Sequence, residues 1–372
     1  MLTSSGCRER QQRLRQVMSD QGIDVAIISD PHEIYYFSGV LLPNAPFALP
    51  GFLWIDSSVT WLIAQNGVKA DTVSDLLTYE WTHNSTSNFD WLRHVNDLLE
   101  ARLSGITAKR IGWQNEALQH LLAQTVETTV HPDEWIALDG AINLMERRKD
   151  ADELALIRRS IEIDLAAYRA AQAAIQPGVN ELDVLAAAQQ AANQAAGEIV
   201  WHNGDYHSGA IGGYAENRAI QAGELYIIDA WTNYHGYWSD LSRAFIVGDQ
   251  ITSLQQTLFD HIKQVQEAVP GILKLGIDGT EVWRQVDALI RELPLLKDVG
   301  LVHHAGHSVG LRAHEQPDLN PDRGGLLEVG NIISVEPGAY LDAARGGVRL
   351  ENMYLITENG AELLSVYPMS LS

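Results

Sequence analysis

Cysteine is almost absent from the 372 residues: Cys7 stands alone, so no intramolecular disulfide can form and a thiolate metal site is excluded. Cys7 reads as an ordinary free thiol beside a polar N-terminus. Cations are also scarce. Lysine and arginine total 26 against 48 aspartates and glutamates, for a net charge of −22 and a pI near 4.9. No basic patch stands out, so nucleic-acid binding is not expected, and so acidic a surface disfavours anionic membranes. The excess charge reads as solubility and mutual repulsion. No run reaches the ~18 apolar residues of a membrane span; the most apolar stretch, 40–55, is broken by Pro43, Pro46, Pro50 and Gly51. Residues 1–15 contain no apolar h-region, so a secretory signal is not expected and the cytoplasm is the default location.

A chain of this length implies two domains, and 46% hydrophobic with 20% charged residues is the composition of a globular enzyme. The first part alternates helices and strands. Helices are expected over 8–21 (stopped by Gly22), 90–103 and 115–124, and strands over 23–28, 52–55, 60–64 and 110–113. That pattern predicts a small α/β domain. No chemistry is legible in it. His32, His83, His94, His120 and His131 are scattered, and the cluster Trp81-Thr82-His83 is unspecific. A domain of this kind serves as a lid or an assembly surface. The charged run Met145-Glu146-Arg147-Arg148-Lys149-Asp150 then leads into a periodic helix with Leu154, Ile157, Ile161, Leu165 and Tyr168 on one stripe. Pro177-Gly178 ends it and Asn180 caps an alanine-rich helix up to Gly197. The boundary is placed at residues 1–143 and 144–372.

The second domain carries the chemistry. Residues 303–315 place four histidines, His303, His304, His307 and His314, among two glycines. Two pairs of carboxylates flank this stretch. Asp229 lies inside the apolar strand 224–231, where an unpaired charge is costly. A hairpin centred on Asn233-Tyr234-His235-Gly236 puts Asp229 opposite a position near 238, with Asp240 two residues further along; the period of two then turns both carboxylates to one face. Glu336 follows the strand 331–335, Gly346-Gly347 signals a turn, and Glu351 lies on the returning strand 348–356, where Arg349 offers either glutamate a partner. Four carboxylates and one histidine suit two divalent ions. Oxygen ligands favour manganese, iron or cobalt, and the histidine admits zinc. Two ions about 3.5–4 Å apart bridge a water, lower its pKa and clamp a carbonyl oxygen, which is the chemistry of amide hydrolysis.

The order of these motifs resembles the creatinase, prolidase, aminopeptidase P and methionine aminopeptidase family. Residues 12–39, from Gln12-Arg13-Leu14 to Phe37-Ser38-Gly39, are similar to the opening of its N-terminal domain, and Arg148 through Glu153 to the start of its catalytic domain. Asp229, Asp240-Leu241-Ser242-Arg243, Gly306-His307-Ser308-Val309-Gly310, Val335-Glu336-Pro337-Gly338 and Gly347-Val348-Arg349-Leu350-Glu351 follow in family order. The resemblance implies an α/β N-terminal domain and an α+β catalytic domain of the pita-bread fold, a curved antiparallel sheet covered by helices. It implies Asp229, Asp240, His307, Glu336 and Glu351 as ligands of two divalent ions, manganese first, with Asp240 and Glu351 bridging. Glu336 would be the general base. His303 and His314 would face substrate, Arg349 and Tyr340 would support the site, and His304 would be structural. The implied partner is a small peptide, and the implied assembly a homodimer.

One departure matters. The family's peptidases carry a further histidine seventeen positions ahead of the first aspartate ligand, where this chain has Gly212 in a shortened Ser208–Asn217 segment. His207 or Tyr214 would have to replace it. Asn352 also stands where an aspartate is usual. The expected activity is hydrolysis of X-Pro bonds by a metal-bridging hydroxide, as in a prolidase-type dipeptidase or an aminopeptidase. The absent histidine motivates an alternative, a metal-dependent hydrolase or lyase of a small non-peptide molecule. A third reading, a non-enzymatic binding module, sits poorly with an intact ligand set.

Overall fold

The computed structural model describes residues 1–43, 47–82, 86–87 and 90–371; Pro46, and His83 of the Trp81-Thr82-His83 cluster, lie outside the described residues. The chain divides into two compact units, Met1–Glu146 and Arg147–Ser372.

The first unit is α/β. In order it runs α1 (Ser4–Gln21), β1 (Val25–Ile28), α2 (Pro31–Ser38), β2 (Phe52–Asp56), β3 (Thr60–Gln65), β4 (Asp75–Tyr79), α3 (Trp91–Leu103), β5 (Arg110–Trp113), α4 (His120–Val130), β6 (Glu134–Ala137) and α5 (Asp139–Glu146). The strands form one mixed sheet in the order β4-β3-β2-β1-β5-β6. Val25, Ile27, Trp54, Trp61, Ile63 and Ile111 face α3 and α4, while the alternate residues Ala26, Ile28, Leu53, Ile55 and Leu62 are buried on the other side. Thr3 caps α1 by accepting the Gly6 N–H, and Gly22 ends it in the left-handed conformation. Asp30 caps α2 with Pro31 in the first turn, so the aromatic run Tyr35-Tyr36-Phe37 is helical. The helix expected over 115–124 forms later, over α4, because the Gln114 side chain is spent on the Ser29 and Asp30 N–H groups and a turn follows it. Cys7 is buried in α1 as a thiol, with Arg10 Nη2 3.3 Å from its sulfur. His32 and His94 make local pairs with Asp30 and Asp90.

The second unit is α+β, built from helices over antiparallel strands. It runs α6 (Ala151–Ala174), α7 (Glu181–Ala196), β7 (Trp201–Ser208), β8 (Leu225–Tyr234), β9 (Tyr237–Trp238), β10 (Leu241–Ile246), α8 (Ser253–Ile272), α9 (Gly279–Ile290), β11 (Gly306–Ser308), β12 (Glu315–Leu319), β13 (Ile332–Val335), β14 (Gly338–Leu341), β15 (Gly346–Arg349), β16 (Asn352–Thr357) and β17 (Gly360–Leu363). The sheets are β10-β8-β7 with β9 on β8, β12-β11-β13-β16-β17, and the pair β14-β15. Helices α6 and α7 cover the first through Ala167, Tyr168, Val184 and Ala188 against Tyr206, Tyr226, Ile228 and Ala230. Helices α8 and α9 cover the second through Ile262, Val265, Val269, Val282 and Val286 against Ile333, Val335 and Ile356, with Val348 of β15 in the same core. Since Ile228 and Ala230 face the helices, Asp229 between them faces the opposite way. Among the described residues no helix is long and apolar enough to cross a membrane.

Both hairpins differ in register from the sequence reading. The first turns on His235 and Gly236, both at positive φ (50° and 87°), a two-residue loop of the kind that matches strand twist. Asp229 is therefore opposite Ser242, and Asp240 lies two residues nearer the turn than that partner, not beyond it. In the second, the chain reverses through Asp342–Ala344 and Arg345 (φ 54°), while Gly347 is already in β15 opposite Tyr340. The two pairings Val335 with Asn352 and Gly338 with Arg349 bracket Glu336 and Glu351, which face each other where the ladder is interrupted. Parity is preserved in both hairpins, so the carboxylates still share a face.

Candidate metal centre

Asp229 is fixed from behind. The Tyr168 hydroxyl on α6 lies against the Ile228 and Leu241 carbonyls and accepts the Ala230 N–H at 3.1 Å, bracing β8 on both sides of the aspartate. Asp240 is held by its backbone, whose N–H donates to Met353 Sδ at 3.2 Å. His307 enters from β11, which pairs with β13 so that His307 faces Ser334. A β-carbon on Gly306 would overlap the Ser334 carbonyl oxygen, and only glycine permits that strand approach.

The five residues converge. Asp229, Asp240 and Glu351 bring carboxylate oxygens within 4.8 Å of one another, and ring nitrogens and carboxylate oxygens lie equally close within His307, Glu336 and Glu351 and within Asp240, His307 and His314. His307 Nδ1 donates to the Ser308 carbonyl at 3.1 Å. Its Nε2 lone pair then faces Asp240 Oδ2 at 3.6 Å and Glu336 Oε1 at 3.7 Å, too far for hydrogen bonds. Burial, followed by the neighbouring His314, holds the His307 pKa well below the usual imidazole value, so the ring is neutral.

Such a cluster is unfavourable by itself. Burial is the largest cause, and mutual repulsion the next, of pKa values raised well above the carboxylate range for Asp240 and Glu351. Glu336 is raised in the same way, with Arg349 opposing. Asp229 is also raised by burial, against the pull of Arg349. Asp240 Oδ1 and Glu351 Oε2 are buried with no hydrogen-bond partner among the described residues. Ser334 Oγ serves the other Glu351 oxygen at 2.5 Å. Arg243, the other buried guanidinium nearby, is spent on the carbonyls of Ser242, Glu351, Tyr367 and Pro368 and on Asn352 Oδ1. Four carboxylates, a neutral imidazole and orphaned oxygens in one buried space form a donor set that fits divalent cations.

Around it runs a second set. Arg349 Nε is 2.5 Å from Asp229 Oδ2 and its Nη2 is 2.5 Å from Asp205 Oδ2. Its Nη1 donates to the Tyr340 hydroxyl at 3.3 Å, which in turn lies 2.8 Å from His303 Nε2. His303 Nδ1 is 2.6 Å from the His304 carbonyl. Both His303 nitrogens are thus used within the protein, and burial pushes its pKa down to about 4. His304, read from sequence as structural, places Nδ1 3.2 Å from Glu336 Oε1. His314 stacks on His307 with ring centroids 3.7 Å apart and is exposed.

Neither substitute for the absent histidine reaches the cluster. His207 Nδ1 is bound 2.9 Å from Glu181 Oε2, and Tyr214 is 66% exposed. Asn352 serves Arg243. Sequence reasoning passed over Asp205, which β7 places directly opposite Asp229. The sequence offered little signal, because the residues that alternate with it, His202, Gly204, Tyr206 and Ser208, are not an apolar series.

The family model described as metallopeptidase family M24 matches residues 155–358, and that of the creatinase/prolidase N-terminal domain matches residues 10–146. An uncharacterized peptidase of Bacillus subtilis is 25% identical over 97% of this chain and 98% of its own. A Xaa-Pro dipeptidase of Pyrococcus furiosus is 26% identical over 96% and 98%. The solved prolidase of Pyrococcus horikoshii superposes with a TM-score of 0.79 at 24% identity, over 98% of this chain and all (100%) of that one. With its carboxylates and His307 gathered on the inner face of the second unit, the chain belongs to metallopeptidase family M24.

Proposed function

We propose that this chain hydrolyses X-Pro peptide bonds, as a prolidase-type dipeptidase first and an X-Pro aminopeptidase second, with Asp229, Asp240, His307, Glu336 and Glu351 holding two divalent ions, manganese first. The observation that carries the reading is the buried, orphaned carboxylate cluster in a chain of this family. When bound, the ions supply Lewis acidity toward the scissile carbonyl and an acidified water. The protein moves the protons. Glu336, with a raised proton affinity and His304 Nδ1 at 3.2 Å, takes the proton of the attacking water and delivers it to the leaving proline nitrogen. Arg349 stays charged among its carboxylates and fixes Tyr340, which fixes His303. His303 therefore shapes the wall, and the exposed His314 is the imidazole free to meet substrate.

The test is hydrolysis of Ala-Pro and Gly-Pro dipeptides, and of a longer X-Pro peptide, by manganese-reconstituted protein whose metal content has been measured. Cleavage of the dipeptides in preference to the longer peptide is expected. Failure of fully metallated protein to cleave any X-Pro bond would refute the peptidase reading and turn attention to small non-peptide substrates.

A further inference from the structure

Asp205 and Asp229 face each other directly across the antiparallel pair β7 and β8. Like charges in that position are destabilising, and Asp205 repels Asp229 and Glu336. Arg349 resolves the conflict by lying between them, 2.5 Å from a carboxylate oxygen of each. The chain beyond β7 folds back over this bridge, with the Tyr206 N–H donating to the Gly213 carbonyl at 2.8 Å. Gly212 passes closest, at φ 136°. A β-carbon there would overlap Asp205 Oδ2 and come within 3.3 Å of Arg349 Nη2. The seat that a side chain at 212 would need is therefore taken by the Asp205 carboxylate. The Asp205 side chain is 23% exposed, so the pair is not a core tie.

We propose that Asp205 is a positioning residue of the metal centre: it acts on Asp229 through Arg349, and Gly212 is glycine to make room for it. This rests on the reading of Asp229 as a metal ligand. Ion-paired with both carboxylates, the guanidinium draws one oxygen of Asp229 toward itself and leaves the other to the cluster. Without Asp205, Arg349 is free to swing toward Glu336, whose Oε2 already lies 4.0 Å from Nε. Partners of this kind orient ligands and tune affinity without touching the ion.

The experiment is calorimetric titration of metal-free protein with Mn2+, alongside the melting temperature of the same metal-free samples. Wild type binds two ions. Asp205→Ala weakens one of them about 10-fold or more with no fall in the metal-free melting temperature, because a like-charge pair has been removed. Asp205→Asn, which keeps the shape and loses the charge, gives a smaller loss of affinity. Gly212→Ala reproduces the Asp205→Ala loss of affinity and adds no further loss of affinity in the Asp205→Ala background, although its strain at φ 136° lowers the melting temperature in both. Unchanged Mn2+ affinity in Asp205→Ala overturns this inference alone, as does a loss of affinity that merely tracks a loss of metal-free stability. Absence of Mn2+ binding to wild type overturns the metal reading, and this inference with it.

Discussion

His304 shows how a single side chain changes meaning once the chain is folded. Its Nδ1 lies 3.2 Å from Glu336 Oε1, and its ring sits edge-on to those of His303, His307 and His314. Burial, with His314 next, lowers its pKa, so at neutral pH it is an uncharged imidazole beside Glu336, its Nδ1 without a hydrogen bond among the described residues. His304→Ala should lower kcat on Ala-Pro about 10–100-fold while leaving two manganese ions bound, measured by steady-state kinetics and metal analysis on one preparation. An unchanged kcat would remove His304 from the proton path. Asp229 stood out in the sequence because a charge within an apolar strand run demands a partner; Glu336 gained meaning only from its place in the ordered motifs. His304 and Asp205 did neither. Both lie beside residues remote in the chain, and neither breaks a local pattern strongly enough to announce it.

At the level of elements, hairpin parity was legible and register was not. Parity depends on the alternation of side chains, which any turn between the same strands preserves. Register depends on which residues take the left-handed conformation, and these are His235 and Arg345 as well as glycines. The non-glycine positions carry no sequence signal of the strength of Gly346-Gly347. The loop carrying His314 poses a similar problem, since its anchor is 166 residues away: Lys149 Nζ pairs with Glu315 Oε2 at 2.5 Å, with side chains only 1% and 8% exposed. The Arg312 N–H donates to the other Glu315 oxygen at 3.0 Å. Removing the Lys149 charge takes the paired cation from a carboxylate that is only 8% exposed. Lys149→Met should destabilise the protein by about 3–5 kcal/mol, read by urea denaturation. Combining it with Glu315→Leu should recover part of that loss. A cost below about 1 kcal/mol for the single change would mean that the pair behaves as a surface ion pair.

For the whole molecule, the centre couples metal content, pH and stability. Asp229, Asp240, Glu336 and Glu351 have pKa values raised in the folded metal-free chain. The folded state then binds more protons than the unfolded one. Their contribution to stability therefore falls as pH rises from the unfolded value near ~4 through the folded values. His303, His304, His307 and His314 are depressed and work in the opposite sense. The unfolded chain takes up their protons first, so their contribution grows as pH rises, from about 4 for His303, and is complete above the unfolded value near ~6.5. In the metal-free protein the two sets oppose each other. Added metal breaks that balance, because an ion must displace protons held by the carboxylates while it finds His307 already neutral. Stabilisation by a ligand follows RT ln(1 + [L]/Kd), so a Kd that tightens with pH gives a growing gain. The rise in melting temperature on adding Mn2+ at one fixed free concentration should therefore increase steadily from pH 5 to pH 8, followed by scanning calorimetry with and without the ion. A gain that is flat or shrinks over that range would mean that the cluster does not surrender protons to the metal, and that the ions bind elsewhere on a chain whose net charge of −22 offers many weaker sites.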